Sequence, residues 1–268
     1  MQALRHYLLA VQFFTRVPVT GPLAAWVGYS PAMLHASAAH LPGVGWLVAL
    51  VAGGVYAALY GALAPSPLAP AVAAVFCTLA SVLVTGGLHE DGLADLADGL
   101  GGSADRARSL DIMKDARIGA FGALALVLAL LAKLGLLALL GAHGLRSALV
   151  ALAGAHVLSR LWPLLIMRRL PHVGDAARSR SRPLAGKPSG QALAAAALWC
   201  FAPLALVGYA LHAPCLMAAM AASGLAAAWM LRWFARRLQG YTGDCLGAAQ
   251  QVGEIGFYLG AALALRWV

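Results

Sequence analysis

Seven of the ten carboxylates in this 268-residue chain lie within one segment of 26 residues. They are Glu90, Asp91, Asp95, Asp98, Asp105, Asp111 and Asp115. On a helix, where successive residues are about 100° apart, Asp91, Asp95 and Asp98 fall within about 60° of one another. Like charges at this spacing repel one another. We call these three aspartates the acidic stripe, and their pattern indicates a cation site rather than a solvated surface.

A second acidic pair, Asp111 and Asp115, follows four residues apart. The glycines Gly99, Gly101 and Gly102 would let the chain turn back between the two groups, so we expect them to converge. Carboxylate oxygens with few imidazoles or thiols nearby favour Mg²⁺ over zinc, and Mg²⁺ usually keeps positions open for phosphate oxygens. The segment 89–117 therefore predicts a phosphate-binding magnesium site with one or two ions.

Basic residues in the same segment suit a pyrophosphate ligand. Arg106, Arg108, Lys114 and Arg117 supply these charges, although ordinary loop charges would look similar, and we favour a functional role for Lys114 and Arg117. His89 opens the motif without an H-E-x-x-H pattern, so a zinc peptidase is not expected. A hydrogen-bonding or structural histidine is expected instead.

The acidic segment belongs to a membrane protein, because 62% of the residues of the chain are hydrophobic and 11% are charged. We expect an all-α, polytopic helical bundle with about seven transmembrane helices in a single domain, residues 1–268. The apolar stretches are 41–63, 68–87, 119–140, 147–167, 191–212, 214–232 and 247–267. The first sixteen residues, with Leu4, Tyr7 and Leu8 at helical spacing, predict an interfacial helix.

The net charge of +9 is spread among the loops between these stretches, including a basic loop at 168–190. No nucleic-acid partner is therefore expected, whereas anionic lipid headgroups are. With seven spans the basic groups fall on one side of the membrane. The positive-inside rule makes that side cytoplasmic, together with the N-terminus and the acidic segment.

Charged residues also occur in or beside the apolar stretches. Arg160 lies in the fourth stretch, Glu254 lies in the last one, and Asp244 lies just before it. Ionisable groups inside a membrane are candidates for function. The alternative for Glu254 is a buried ion pair with a basic residue such as Arg160.

Two runs of sequence resemble the cobalamin synthase family, the adenosylcobinamide-GDP ribazoletransferases. They are His89-Glu90-Asp91-Gly92-Leu93-Ala94-Asp95-Leu96-Ala97-Asp98-Gly99 and Leu110-Asp111-Ile112-Met113-Lys114-Asp115-Ala116-Arg117-Ile118-Gly119. The likeness extends from Phe13-Phe14-Thr15-Arg16-Val17-Pro18 to Gly240-Tyr241-Thr242-Gly243-Asp244 and Glu254. The departures are small: Glu90 stands at a usually apolar position, and Asp111 stands where many relatives carry Glu.

The resemblance implies a Mg²⁺-dependent enzyme of the bacterial inner membrane. It would transfer the adenosylcobinamide-phosphate group of adenosylcobinamide-GDP to α-ribazole or its 5′-phosphate and release GMP. In that reaction Asp91, Asp95, Asp98 and Asp115 would hold the metal.

The remaining roles follow from the same resemblance. Asp98 or Asp111 would act as the general base. Lys114 and Arg117 would stabilise charge on the phosphates as catalytic residues. Substrate contacts would come from His89, Arg106, Arg160, Asp244 and Glu254.

Two other classes of protein compete with this interpretation. A CDP-alcohol phosphotransferase shares the membrane and the pyrophosphate chemistry, but its D-x-x-D-G-x-x-A-R motif has Ala-Arg where this chain has Gly102-Ser103. A transporter would carry acids scattered through its spans and internal repeats. Neither pattern is found, so the phosphotransferase reaction on adenosylcobinamide-GDP is preferred.

Overall fold

The computed structural model describes residues 1–174, 186–211 and 215–265, which form thirteen α-helices and no strand. The helices are α1 (Gln2–Phe14), α2 (Gly21–Val27), α3 (Pro31–Ser37), α4 (Leu41–Ala62), α5 (Ala69–Thr85), α6 (Leu88–Gly102), α7 (Arg106–Ile112), α8 (Ala120–Ala142), α9 (Leu145–Leu158), α10 (Trp162–Arg169), α11 (Gly190–Leu211), α12 (Cys215–Arg237) and α13 (Gly243–Ala264). Residues 175–185 of the basic loop lie outside the described part.

The expected all-α membrane fold is confirmed, with four helical segments long and apolar enough to cross a bilayer. They are Pro31–Ala62, Ala120–Ala142, Leu145–Arg169 and Leu216–Arg237. Helices α5 and α6 together would make a fifth, although they are bent by 90°. Length and composition thus identify four or five spans in the described residues, and the expected number of about seven stays a prediction.

Helix α13 accounts for part of that difference. It is long enough to span, but it carries Gln250, Gln251 and Glu254, which lower its hydropathy and are buried in the protein. Around it pack α6, α8, α9, α10 and α12. Gly260 lets it approach α12 closely, because an added Cβ would lie 2.6 Å from the carbonyl oxygen of Ala218. A helix enclosed by protein needs less apolar surface than one that faces lipid.

The break between α5 and α6 occurs at Gly86 and Gly87, which have φ of 70° and 71°. Glycine adopts this left-handed conformation without the strain that a Cβ would cause. The side chain of Arg16 lies against Gly86, and its backbone N–H donates to the carbonyl of Val84 at 2.6 Å. Helix α6 is therefore not a straight continuation of the apolar helix α5.

The N-terminal segment is helical, as its spacing predicts. In α1, Leu9, Ala10, Val11 and Phe14 are buried, and the helix packs against α2, α3 and α4. Its location at the membrane interface stays a prediction.

Candidate active site

Two glycines bring the acidic stripe on α6 to the start of α13. A Cβ on Gly92 would lie 2.9 Å from the backbone oxygen of Asp244, and a Cβ on Gly247 would lie 3.3 Å from the Cα of His89. Because neither glycine has a side chain, the two backbones cross at close range. The crossing places Asp244, which lies in the first turn of α13, beside the stripe.

The carboxylates at this crossing repel one another. Burial raises the pKa of Asp95 to about 7, and the charges of Asp244, Asp91 and Asp98 add to the effect. Burial likewise raises the pKa of Asp244 to about 6; the repulsion of Asp91 acts in the same direction, and a hydrogen bond from Thr242 opposes it. Within the described ranges, no Lys, Arg or His forms an ion pair with these four aspartates. The crossing is a concentration of negative charge.

Asp98 is held by the beginning of α8. Its two carboxylate oxygens accept hydrogen bonds from the backbone N–H groups of Gly119, at 2.7 Å, and Gly122, at 2.8 Å. An added Cβ on either glycine would collide with this carboxylate. The N-terminus of α8 therefore orients the Asp98 carboxylate. Each oxygen retains a further lone pair.

The second acidic pair interacts with its own basic neighbours. Asp115 accepts from Arg117 Nη2 at 2.6 Å, and Asp111 lies 3.6 Å from Lys114 Nζ. The hydrogen bond from Arg117 lowers the pKa of the exposed Asp115 to about 2. Among the described residues no three His, Cys, Asp or Glu side chains are grouped closely enough to hold a metal. The role of Asp115 as a metal ligand stays a prediction.

Arginines tie the acidic segment to the connection between α12 and α13. Arg106 Nε donates to the carbonyl of Leu238 at 2.7 Å. Arg237 Nη2 donates to the carbonyls of Ser103, at 2.6 Å, and Leu100, at 3.3 Å. Arg106 thus has a structural contact that the sequence did not indicate, and its role toward substrate stays a prediction.

A buried polar network lies beside the crossing, deeper in the bundle. Glu254 Oε1 lies 2.9 Å from Lys133 Nζ and accepts from the hydroxyl of Tyr258 at 3.1 Å. Its Oε2 accepts from Gln250 Nε2 at 2.8 Å and lies 3.8 Å from His156 Nδ1. Glu254 is therefore a paired, fully engaged carboxylate.

The basic partner of Glu254 was not the expected one. Arg160 donates to the carbonyl of His156 at 2.6 Å, and in the described residues it forms no ion pair with Glu254. The ion-pair partner is Lys133, which sequence reasoning missed. A single lysine inside the apolar stretch 119–140 was the signal that could have identified it.

His89 is buried where α6 crosses α13, and its role toward substrate stays a prediction. Asp244 does reach the stripe, whereas Arg160 and Glu254 belong to the deeper network. The structure therefore brings together only part of the expected site.

Comparison with known proteins identifies the family of this chain. The family model of cobalamin-5-phosphate synthase matches residues 6–262. An adenosylcobinamide-GDP ribazoletransferase of Polaromonas naphthalenivorans is 56% identical over 99% of this chain and all of its own length. One from Albidiferax ferrireducens is also 56% identical, over 98% of this chain and 99% of its own, and one from Leptothrix cholodnii is 47% identical over 96% and 94%. No solved structure matches. The chain belongs to the cobalamin-5-phosphate synthase family.

Proposed function

We propose that the protein is an adenosylcobinamide-GDP ribazoletransferase. It transfers adenosylcobinamide-phosphate from adenosylcobinamide-GDP to α-ribazole or α-ribazole 5′-phosphate and releases GMP. The observation that carries this proposal is the crossing of α6 and α13, where Asp91, Asp95, Asp98 and Asp244 concentrate negative charge without a basic partner in the described residues. A substrate with a diphosphate and a metal ion matches that arrangement of charges.

The chemistry of the donors at the crossing suits magnesium, and because no three of the described carboxylates are grouped closely enough to hold an ion, its binding would have to draw their side chains together. The groups are oxygen ligands only, and a hard divalent cation would relieve the repulsion from Asp244, Asp91 and Asp98, which adds to the effect of burial in raising the pKa of Asp95. We infer that Asp91, Asp95 and Asp244 hold it, with Asp98 contributing a free lone pair. Asp244 joins the ligands that the resemblance implies, and Asp115, whose carboxylate is paired with Arg117, stays a predicted ligand. When bound, Mg²⁺ supplies neutralisation of the diphosphate charge.

The chain's own residues carry the remaining steps. A ribose hydroxyl oxygen attacks the phosphorus on the corrinoid side, the bond from that phosphorus to the GMP oxygen breaks, and the hydroxyl proton passes to a carboxylate. Both oxygens of Asp98 already accept backbone hydrogen bonds, so each has fewer free lone pairs to take that proton. Asp111, whose side chain is 64% exposed, is favoured as the general base. Lys114 and Arg117 would contact the phosphates of the substrate.

The membrane assignment follows from the apolar helices. We propose that the single domain resides in the bacterial inner membrane, with the N-terminus and the acidic segment facing the cytoplasm, where a nucleotide substrate is available. The exposed apolar side chains of α8, among them Leu124, Leu128 and Leu131, provide a lipid-facing surface. We expect lipid to be a partner of the protein and expect no nucleic-acid partner.

The test is GMP release by the purified protein in detergent or liposomes. With adenosylcobinamide-GDP, α-ribazole and its 5′-phosphate are each added as acceptor, with and without Mg²⁺, and GMP and the cobalamin product are quantified by chromatography. We expect equal amounts of both products and dependence on Mg²⁺. Release of CMP from a CDP-linked lipid, with no GMP release, would overturn the proposal in favour of a phospholipid synthase.

A further inference from the structure

A side-chain contact between Glu90 and Gln251 joins the acidic helix to the buried network. Gln251 Nε2, on α13, donates to Glu90 Oε1, on α6, at 3.0 Å. The same glutamine accepts from Lys133 Nζ, on α8, at 3.3 Å. Three helices therefore meet at one hydrogen-bonded group, which we call the Gln251 junction and define as Glu90, Gln251 and Lys133.

We propose that the Gln251 junction is a positioning device that sets the orientation of α6 and thereby holds Asp91 and Asp95 toward Asp244. The inference rests on the proposed function, because metal and substrate binding are the reason that Asp91 and Asp95 must be oriented. Glu90 itself contacts neither metal nor substrate in this proposal, so it is a positioning residue.

The backbones of α6 and α13 touch at Gly92 and Gly247, so at this contact neither residue has a side chain that fixes the rotation of α6 about its own axis. Asp98, further along α6, is held by α8, whereas the start of the helix needs a restraint of its own. Glu90 is immediately before Asp91 and five residues before Asp95 on the same rigid helix. A hydrogen bond from buried Gln251 to Glu90 therefore fixes the direction in which both aspartates point.

Electrostatic attraction to Lys133 also supports the position of Glu90. Lys133 lies 2.9 Å from Glu254 and 4.0 Å from Glu90, so one buried ammonium group serves a carboxylate on each of two helices. Charge-assisted contacts in a water-poor interior are stronger than neutral ones. Because Lys133 and Gln251 are each 2% exposed, the junction is a firm support for Glu90.

One carboxylate oxygen of Glu90 is energetically unfavourable where it lies. Its Oε2 is buried and has no hydrogen-bond partner in the described residues. An unsatisfied buried oxygen is unfavourable, and an apolar side chain would avoid it. The residue is therefore poorly explained by stability alone, whereas positioning of the stripe gives it a role.

The experiment compares Glu90→Leu with the matched control Glu90→Gln. Leucine removes the acceptor for Gln251, whereas glutamine keeps an acceptor oxygen at the same place. The full-length protein is used, and Mg²⁺ alone serves as the probe of binding, by calorimetry. Pulsed electron paramagnetic resonance then measures the distance between spin labels at Leu88→Cys on α6 and Leu259→Cys on α13. Cys215→Ala provides the background, since Cys77, Cys200 and Cys245 are buried.

We expect Glu90→Leu to weaken Mg²⁺ binding and raise the Mg²⁺ concentration for half-maximal GMP release by about 10- to 100-fold, as is typical when a group that orients metal ligands is lost. The turnover at saturating Mg²⁺ should change less than threefold, by analogy with mutations that affect binding alone. The distance distribution should broaden in Glu90→Leu. Glu90→Gln keeps the acceptor for Gln251 and loses only the charge that faces Lys133, so it should stay close to the parent protein and clearly above Glu90→Leu in Mg²⁺ binding, GMP release and label distance.

An unchanged distance distribution and unchanged Mg²⁺ binding in Glu90→Leu would overturn the inference. So would equal losses in Glu90→Leu and Glu90→Gln, because these would show that charge rather than orientation matters. If the parent protein releases no GMP, the proposed function fails, and the spin-label distances still test the junction independently.

Discussion

The ammonium group of Lys133 lies 2.9 Å from a carboxylate oxygen of Glu254, and both side chains are 2% exposed. The pair joins α8 to α13, the helix around which the bundle packs. Removing one member of such a pair leaves an uncompensated charge in an apolar interior. The first prediction follows from this arrangement.

Lys133→Met should lower the free energy of unfolding by about 3–5 kcal/mol, because Glu254 would remain buried without its cation. The double variant Lys133→Met/Glu254→Gln should recover a large part of that loss, since it removes both charges. Unfolding in mixed detergent, followed by circular dichroism, measures both. A double variant less stable than Lys133→Met alone would contradict the pairing.

Asp95→Asn should reduce GMP release by orders of magnitude while the protein still inserts and folds. The reason is that Asp95 lies at the centre of the proposed metal site. It accepts no hydrogen bond from the described residues, so its replacement should not destabilise the fold. Turnover at saturating substrate is the measurement, with the thermal transition as the control for folding. Near-normal turnover would refute the metal assignment.

Asp98→Asn should reduce activity to a similar extent and also destabilise the protein by about 1–3 kcal/mol. The asparagine amide can accept at one position only, so either Gly119 or Gly122 loses its hydrogen-bond acceptor. The difference between the melting temperatures of Asp98→Asn and Asp95→Asn measures the stability that the hydrogen bonds to Asp98 contribute. Equal melting temperatures would show that the capping contact contributes little.

Gly92→Ala should separate α6 from α13, because the new Cβ would lie 2.9 Å from the backbone oxygen of Asp244. We expect a loss of about 1–3 kcal/mol in stability, typical of overpacking, and a marked loss of activity. Gly135→Ala on α8 is the matched control, since nothing lies within 4 Å of its added Cβ. That control should be neutral or slightly stabilising. A fully active Gly92→Ala would mean that the close crossing is dispensable.

The stability of the metal-free protein should fall as the pH rises from about 4 to about 7. Asp95 has its pKa raised to about 7, whereas an unfolded aspartate titrates near 4. The folded state therefore binds more protons than the unfolded state in this interval, and the stabilisation is lost as the pH rises through the folded pKa. Mg²⁺ should raise the melting temperature more at pH 7.5 than at pH 5. Calorimetry in detergent at both values tests the sign.

Local spacing was sufficient to predict the acidic stripe, because Asp91, Asp95 and Asp98 share a helix whose geometry is known in advance. The approach of Asp244 was harder to anticipate, since it depends on the contact between Gly92 and Gly247, which are 155 positions apart in the chain. The regular helices themselves followed from apolar composition. Their termini and the bend at Gly86 and Gly87 depended on tertiary contacts such as that of Arg16.

The ion-pair partner Lys133, unlike the approach of Asp244, could have been predicted from the sequence. A lysine in the middle of an apolar stretch is a strong indication of a buried partner. The sequence could not decide between Arg160 and Lys133 as the partner of Glu254, because both cations lie in apolar stretches. The packing of α8 against α13 brings Lys133 closer.

The polar side chains of α13 bear on how the protein is made. Ribosomes synthesise α8 before α13, so Lys133 enters the bilayer region ahead of the carboxylate that will neutralise it. A helix of low hydropathy partitions poorly into lipid by itself. Because α6, α8, α9, α10 and α12 surround α13, its polar side chains are shielded from lipid only once these helices have assembled, and the same packing brings Asp244 to the aspartates of α6.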